Sequence, residues 1–236
     1  MALPIFFIDA FDTAASLITL NEETSKHVVQ VLRMQVGEQL NLTDGKGYLI
    51  TTEITEAHKK QCVVKIKGTS FKEQGSSKTT IAISLVKNAS RFEWFLEKAT
   101  EIGVNEIIPL ICERTERQHF RYERMKAILV SAMLQSQQVW LPVLREPVRY
   151  EDVMNLKSED SLKLIAHCEE TEKQQLSNLQ IKQSSNSIIL IGPEGDFSPA
   201  EIELALNNNF QPVALGETRL RTETAGMVAA VMMCIR

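Results

Sequence analysis

The sequence predicts an α/β protein in two parts, a small N-terminal β-barrel followed by a layered domain with a mainly parallel sheet. Three observations predict it. The first seventy residues carry short runs rich in Ile, Val, Leu and Thr, separated by turn residues. From residue 79 onward, apolar strand-like runs alternate with amphipathic helical stretches. Between the two lies Lys72-Glu73-Gln74-Gly75-Ser76-Ser77-Lys78, which is polar and without periodicity. The boundaries are therefore 1–72 for the barrel, 73–78 for a linker and 79–236 for the α/β domain.

In the first part the expected strands are Ile5–Ile8, Gln39–Thr43, Tyr48–Thr55 and Gln61–Lys67. Cys62, Val64 and Ile66 alternate with Val63, Lys65 and Lys67, the mark of a strand with one wet face. Asp44-Gly45-Lys46-Gly47 reads as a hairpin turn, because Gly tolerates the positive φ of tight turns. A short helix is expected over Ser25–Met34.

In the second part Ile81–Val86 is the first strand. Ser90 with Glu93 forms a capping-box pattern at the start of a helix that buries Phe92, Phe95, Leu96, Ala99 and Ile102, and Gly103 ends it. Glu106–Cys112 follows as a strand, then an amphipathic helix over Tyr122–Trp140. Leu162–His167, Ser187–Ile191 and Gln211–Leu215 are three further strands. Ser198-Pro199-Ala200-Glu201 is a second capping box with Pro in the first helical position. Ala225–Ile235 is almost wholly apolar, which fits a helix buried on most sides.

The bulk numbers narrow the classes. Hydrophobic residues make up 44% and charged ones 24%, an ordinary balance for a globular chain with a real core. No run approaches 18 apolar residues, so no transmembrane helix is expected. The start, Met1-Ala2-Leu3-Pro4-Ile5-Phe6-Phe7-Ile8-Asp9, has no basic segment and reads as a strand, not a signal peptide. Cys62, Cys112, Cys168 and Cys234 are scattered, which fits a reducing cytoplasm without disulfides or a zinc site. His167-Cys168-Glu169-Glu170 holds metal-ligating types, but neighbours on a strand end point apart, so no metal is expected. A net charge of −4 argues against indiscriminate coating of nucleic acid. The charge is uneven: residues 1–72 hold 8 Lys and Arg against 8 Asp and Glu, and the remainder 18 against 22. The first part is thus freer to face a polyanion.

Chemistry concentrates in Ser187–Ala230. Ligands of parallel sheets sit at the carboxyl ends of strands, and two glycine loops stand there, Gly192-Pro193-Glu194-Gly195 and Leu215-Gly216. Neither is a P-loop, which requires a following Gly-Lys-Ser/Thr, nor a GxGxxG dinucleotide fingerprint. Each alone reads as a tight turn before it reads as a ligand loop. The pair, followed by Arg221-Thr222-Glu223-Thr224, reads equally as a ligand site or as two turns.

Ile191-Gly192-Pro193-Glu194-Gly195-x-Phe197-Ser198, then Leu215-Gly216 and Leu220-Arg221-Thr222-Glu223-Thr224-Ala225, resembles the 16S rRNA (uracil(1498)-N(3))-methyltransferase family of the SPOUT class. His27-Val28-Val29-x-Val31-Leu32-Arg33, Asp44-Gly45-Lys46-Gly47 and Lys98-Ala99-Thr100-Glu101-Ile102-Gly103-Val104 extend the likeness over both parts of the chain, in order. The resemblance implies a PUA-like barrel, an α/β domain with a deep trefoil knot, a homodimer, and S-adenosylmethionine as cofactor. It also implies 16S rRNA within the small ribosomal subunit as partner. Spacing and composition would not have suggested the knot.

Carried over by position, Ile191, Gly192, Pro193, Glu194, Gly195, Leu215, Gly216, Leu220, Arg221, Thr222 and Ala225 would contact the cofactor, largely through backbone atoms. Uridine N3 carries a weakly acidic proton, so transfer needs help in removing it or in holding the anion. Arg221, Glu223 and Glu194 are the catalytic candidates. Arg221 is either the charged donor or an ion-pair partner of Glu223 or Glu194; each Glu is either an acceptor or an anchor. The expected RNA contacts are Lys26, His27, Arg33, Lys46, Lys65 and Lys67 in the first part, with Lys87, Arg91 and Arg114 in the second. The chain departs from the family pattern at Asp196, where a second Gly is usual, and at Arg219, where an aliphatic is common. It departs again at Leu134-Gln135-Ser136-Gln137-Gln138, where the family carries Glu-Gln-Ser-x-Arg.

Overall fold

A computed structural model describes residues 3–116, 118–155, 161–170, 172–179 and 186–235. They form two compact units. The first comprises Met1–Gln74 with Met133–Leu141, the second Gly75–Ala132 with Pro142–Arg236. The expected division left residues 79–236 in one piece; the packing instead groups Met133–Leu141 with the first unit. The linker also ends one residue sooner than expected, since Lys78 already begins a strand.

The first unit is a five-stranded sheet of β1 (Ile5–Phe7), β2 (Leu17–Thr19), β3 (Gln39–Thr43), β4 (Tyr48–Glu56) and β5 (Val63–Phe71), in the order β1-β3-β4-β5-β2. Pairing is antiparallel except between β1 and β3. Its core is built from alternate strand positions, with Leu40, Leu42, Ile50, Ile54, Cys62 and Val64 fully buried. β2 escaped the sequence reading because its three residues are too few to show a period. The helix expected over Ser25–Met34 is two shorter pieces. α1 (Glu22–Lys26) is capped by Asn21, whose side chain accepts from the Thr24 N–H, and a π-helical turn follows over His27–Val31. Helical structure stops before Arg33, which stands at φ 56.

Tyr122–Trp140, expected as one helix, is helical only in part. α3 spans only Tyr122–Gln135. Gln137 then turns left-handed at φ 54, and the chain runs on as an extended partner of the Asp44–Gly47 turn. Gly47 N–H donates to the Val139 carbonyl at 2.8 Å, Leu141 N–H donates to that of Gly45 at 2.8 Å, and Trp140 Nε1 donates to the Lys72 carbonyl at 2.8 Å. Apolar periodicity continues through Val139 because this strand-like piece also buries its side chain. Periodicity alone could not separate the two.

The second unit holds an eight-stranded sheet, every described pair of which is parallel. Its strands are β6 (Lys78–Ser84), β7 (Glu106–Ile111), β8 (Val143–Leu144), β9 (Val148–Arg149), β10 (Ser161–Ala166), β11 (Gln174–Gln175), β12 (Asn186–Ile191) and β13 (Gln211–Ala214). The order is β11-β13-β10-β12-β6-β7-β8, with β9 also on β7. The five strands expected from sequence are all present, each within three residues of the expected bounds. The two-residue strands β8, β9 and β11 were too short to expect.

Helices α2 (Ala89–Ile102), α4 (Tyr150–Met154), α5 (Pro199–Asn207) and α6 (Thr222–Cys234) join α3, as far as Ala132, in this unit. The cap of α2 is Asn88, whose side chain accepts from the Ser90 N–H, so Ser90 is already helical. Glu93, expected to close a capping box, instead binds Arg124 through two hydrogen bonds of 2.6 and 2.9 Å. The Ser198–Glu201 capping box forms as expected. α6 packs against α2 and β6 at a close approach set by Gly226, where a Cβ would lie 2.6 Å from Ile83 Cδ1 and 2.8 Å from Phe95 Cε2. The core between strands and helices gathers Leu110, Tyr150, Leu190, Phe197 and Ile202.

Candidate functional site

β10, β12 and β13 end side by side, and the chain leaving each one lines a cavity. Two adjoining pockets of about 280 and 450 Å³ share Ala166, Cys168, Arg219, Leu220 and Ala225 as a common wall. Ile191, Gly192, Pro193, Glu194, Asp196, Arg221 and Thr222 complete the smaller one. His167, Lys173, Val213, Ala214, Leu215, Gly216, Glu217 and Thr218 complete the larger. This is the place where a parallel sheet binds ligands, and each volume suits part of a small organic molecule.

The first glycine loop, Gly192–Phe197, is tied down from three neighbouring strands. The Lys87 N–H, just past β6, donates to Glu194 Oε1 at 3.0 Å. Arg114, past β7, donates through Nη1 to the carbonyls of Gly195 at 2.8 Å and Phe197 at 3.3 Å. The Cys168 N–H, past β10, donates to Asp196 Oδ2 at 2.7 Å. Beyond the loop, Glu201 accepts from the backbone of Glu113 at 2.8 Å and of Ser198 at 2.8 Å. Phe197 lies beneath, buried against Tyr150 with ring centroids 5.2 Å apart. A loop held this way meets a ligand with little left to order.

The second loop is freer. Gly216 sits at φ 149 with open space where a Cβ would be, so the backbone can approach a ligand there without a side chain between. Arg221 precedes α6 as its N-cap residue; it is exposed and has no ion-pair partner among the described residues. Glu223 is buried in the first turn of α6, and its Oε1 lies 3.6 Å from Arg91 Nε. Its Oε2 has no hydrogen-bond partner among the described residues.

Of the eleven residues expected at the cofactor, all but Gly195 line one or both pockets. Gly195 presents its carbonyl to Arg114 instead. Of the three catalytic candidates, Glu194 and Arg221 line the smaller pocket, while Glu223 is absent from both linings. The ion pair weighed for Arg221 belongs to Arg91, on α2, and Glu223.

Sequence reasoning weighed His167 and Cys168 only as metal-ligating types and placed neither of them, nor Lys173, at the cofactor pocket. The signal that could have found them is their place at the end of an expected strand. His167 is buried, and neither ring nitrogen has a partner among the described residues. Burial first, and the Lys173 charge second, hold its imidazole below its usual pKa and therefore neutral near pH 7. Burial, then the Asp196 carboxylate, raise the Cys168 thiol, which disfavours the nucleophilic thiolate. Among the described residues no group of three His, Cys, Asp or Glu is placed to hold a metal ion.

The basic residues expected at RNA divide. Lys26, His27, Arg33, Lys46 and Lys65 are exposed on the first unit, with the His27 ring edge-on to Phe6 at 5.7 Å. Lys67 pairs with Glu53 at 3.1 Å. In the second unit Lys87 pairs with Glu116 at 2.7 Å, Arg91 with Glu223, and Arg114 holds the glycine loop.

Two family models give the class, the two-domain RNA methyltransferases. A model described as an RNA methyltransferase domain matches residues 73–234, and one described as an RNA methyltransferase PUA domain matches residues 20–67. The chain belongs to the family of ribosomal RNA small subunit methyltransferase E. It is 32% identical to the protein of that name from Rickettsia conorii over 219 residues, which cover 91% of this chain and 88% of the relative. A "probable rRNA-methyltransferase" from Porphyromonas gingivalis is 38% identical with a TM-score of 0.88, over 99% of this chain and 100% of that one. A ribosomal RNA small subunit methyltransferase E from Neisseria gonorrhoeae bound to S-adenosyl methionine is 27% identical, also with a TM-score of 0.88, over 98% and 97% of the two chains.

Proposed function

We propose that the chain transfers a methyl group from S-adenosylmethionine to N3 of a uridine in 16S ribosomal RNA, without a covalent enzyme–base adduct. The observation that carries this reading is the double pocket at the strand ends, walled by the glycine loops and followed by an exposed Arg221. The residues suit the cofactor: apolar Ile191, Leu215, Leu220 and Ala225 would flank it, and backbone near Gly192 and Gly216 would approach its adenine or amino-acid groups. Bound there, S-adenosylmethionine would supply an electrophilic methyl group on sulfur.

The chain's own part is electrostatic. The Arg221 guanidinium, unpaired among the described residues, would hold the negative charge that grows on the uridine as N3 loses its proton. Glu194 lines the same pocket with one carboxylate oxygen bound to the Lys87 N–H, which leaves the other to orient the base or accept its proton. Glu223 is buried and paired, so it serves as an anchor for α6. The exposed Lys26, Arg33, Lys46 and Lys65 would meet RNA phosphates. We further infer a homodimer with a trefoil-knotted second domain, acting in the cytoplasm on the small ribosomal subunit, as the family resemblance implies.

Purified small subunits lacking the modification should gain one methyl from labelled S-adenosylmethionine in the presence of the protein. Mass spectrometry of nuclease fragments should place it on N3 of a single uridine. A methyl on a ribose hydroxyl or on transfer RNA would replace this reading with that of a SPOUT enzyme for another nucleotide. No binding of S-adenosylmethionine at millimolar concentration would favour a non-catalytic assembly factor.

A further inference from the structure

The carboxylate of Asp196 joins two segments that sequence keeps 28 residues apart. Oδ2 accepts from the Cys168 N–H at 2.7 Å, and Oδ1 accepts from the Phe197 N–H at 2.9 Å. The Asp196 backbone is left-handed at φ 63, a conformation that Asp tolerates better than most residues because its short side chain bonds locally. Cys168 lies in the wall common to both pockets, and Asp196 lies in the lining of the smaller one. One side chain therefore fixes the distance between the end of β10 and the loop after β12. Glycine would fit this backbone equally well but would leave the two segments untied.

We propose that Asp196 is a positioning residue of the double pocket: it holds the Cys168 segment against the glycine loop and so sets affinity for the adenosyl cofactor. This rests on the cofactor reading given above. It makes no demand on the charge of the ligand, because both carboxylate oxygens are engaged by backbone N–H groups within the protein.

The test is calorimetry with S-adenosylmethionine and with S-adenosylhomocysteine, which lacks the sulfonium charge, on the full chain and two variants. Asp196→Gly keeps the left-handed backbone and loses the tether; it should weaken both ligands to a similar extent, on the order of tenfold. Asp196→Asn keeps an oxygen for the Cys168 N–H, loses the charge and gives up the acceptor for the Phe197 N–H; with the tether to Cys168 kept, it should weaken both ligands equally and less than Asp196→Gly does. Methyl transfer at saturating cofactor should be within about twofold of normal in either variant, so that the loss appears in KM for the cofactor and not in kcat.

Unchanged binding by Asp196→Gly overturns the proposal. A selective loss of S-adenosylmethionine over S-adenosylhomocysteine in Asp196→Asn also overturns it, by showing direct charge recognition instead. Failure of the unsubstituted protein to bind either ligand would overturn the cofactor reading itself, a result distinct from the other two.

Discussion

Arg91 Nε lies 3.6 Å from Glu223 Oε1, and this pair joins the first turns of α2 and α6 just behind the strand-end pocket. Glu223 is buried while the Arg91 side chain is 40% exposed, so the carboxylate depends on the pair more than the guanidinium does. Arg91→Ala should destabilise the second unit by roughly 1–2 kcal/mol, less than a fully buried pair would lose because solvent reaches Arg91. Denaturant unfolding measures it. Glu223→Gln should retain turnover within about tenfold, as befits an anchor; a loss beyond a thousandfold would return Glu223 to the chemistry.

Arg221 behaves differently because nothing among the described residues neutralises it. Arg221→Ala should leave the thermal midpoint within a degree or two of the parent and lower kcat by roughly a hundredfold or more, the usual consequence of removing a preorganised charge from a developing anion. Single-turnover methylation of small subunits checks this, and near-normal turnover would remove Arg221 from the mechanism.

The sheet, its glycine loops and half of the residues lining the two pockets were legible in the sequence because strand ends and glycines are local signals. Ile191, Gly192, Leu215 and Gly216 lie where the apolar runs break, and the pocket opens there. What stayed hidden depends on long-range pairing. Arg114 looks like any basic residue until the fold brings it to the Gly195 carbonyl, 81 positions away. Val139 and Trp140 kept a helix-compatible pattern although the backbone there pairs with the Asp44–Gly47 turn. Asp196 read as a departure from pattern, whereas its left-handed φ of 63 explains both why Gly suits the position and why Asp can replace it.

Arg114→Ala separates two jobs that sequence could not. Its guanidinium bonds two carbonyls of the first glycine loop, so the variant should weaken S-adenosylmethionine several-fold. The salt dependence of RNA binding should change little, since a lost phosphate contact would lower the slope by nearly one. Calorimetry and a salt titration of RNA affinity give the two numbers. A shallower salt slope with intact cofactor affinity would restore Arg114 to the RNA surface.

His167 carries a testable dependence on pH. Its imidazole is buried without a partner among the described residues, and burial holds its folded pKa below the unfolded value near 6.5. The unfolded chain therefore binds the proton more readily than the folded one. Above about pH 7 both forms are neutral and this residue adds no pH dependence. As pH falls through 6.5 the unfolded state gains a proton first, so stability declines until the folded pKa is passed, below which the decline from this group stops. His167→Leu removes both the titration and a buried polar group without a partner among the described residues, whose desolvation costs about 1–3 kcal/mol. The variant should unfold at a temperature no lower than the parent at pH 8, and its advantage should widen toward pH 5.5. Thermal melts at these two values decide the matter: a parallel decline in both proteins would show that His167 is not the group responsible.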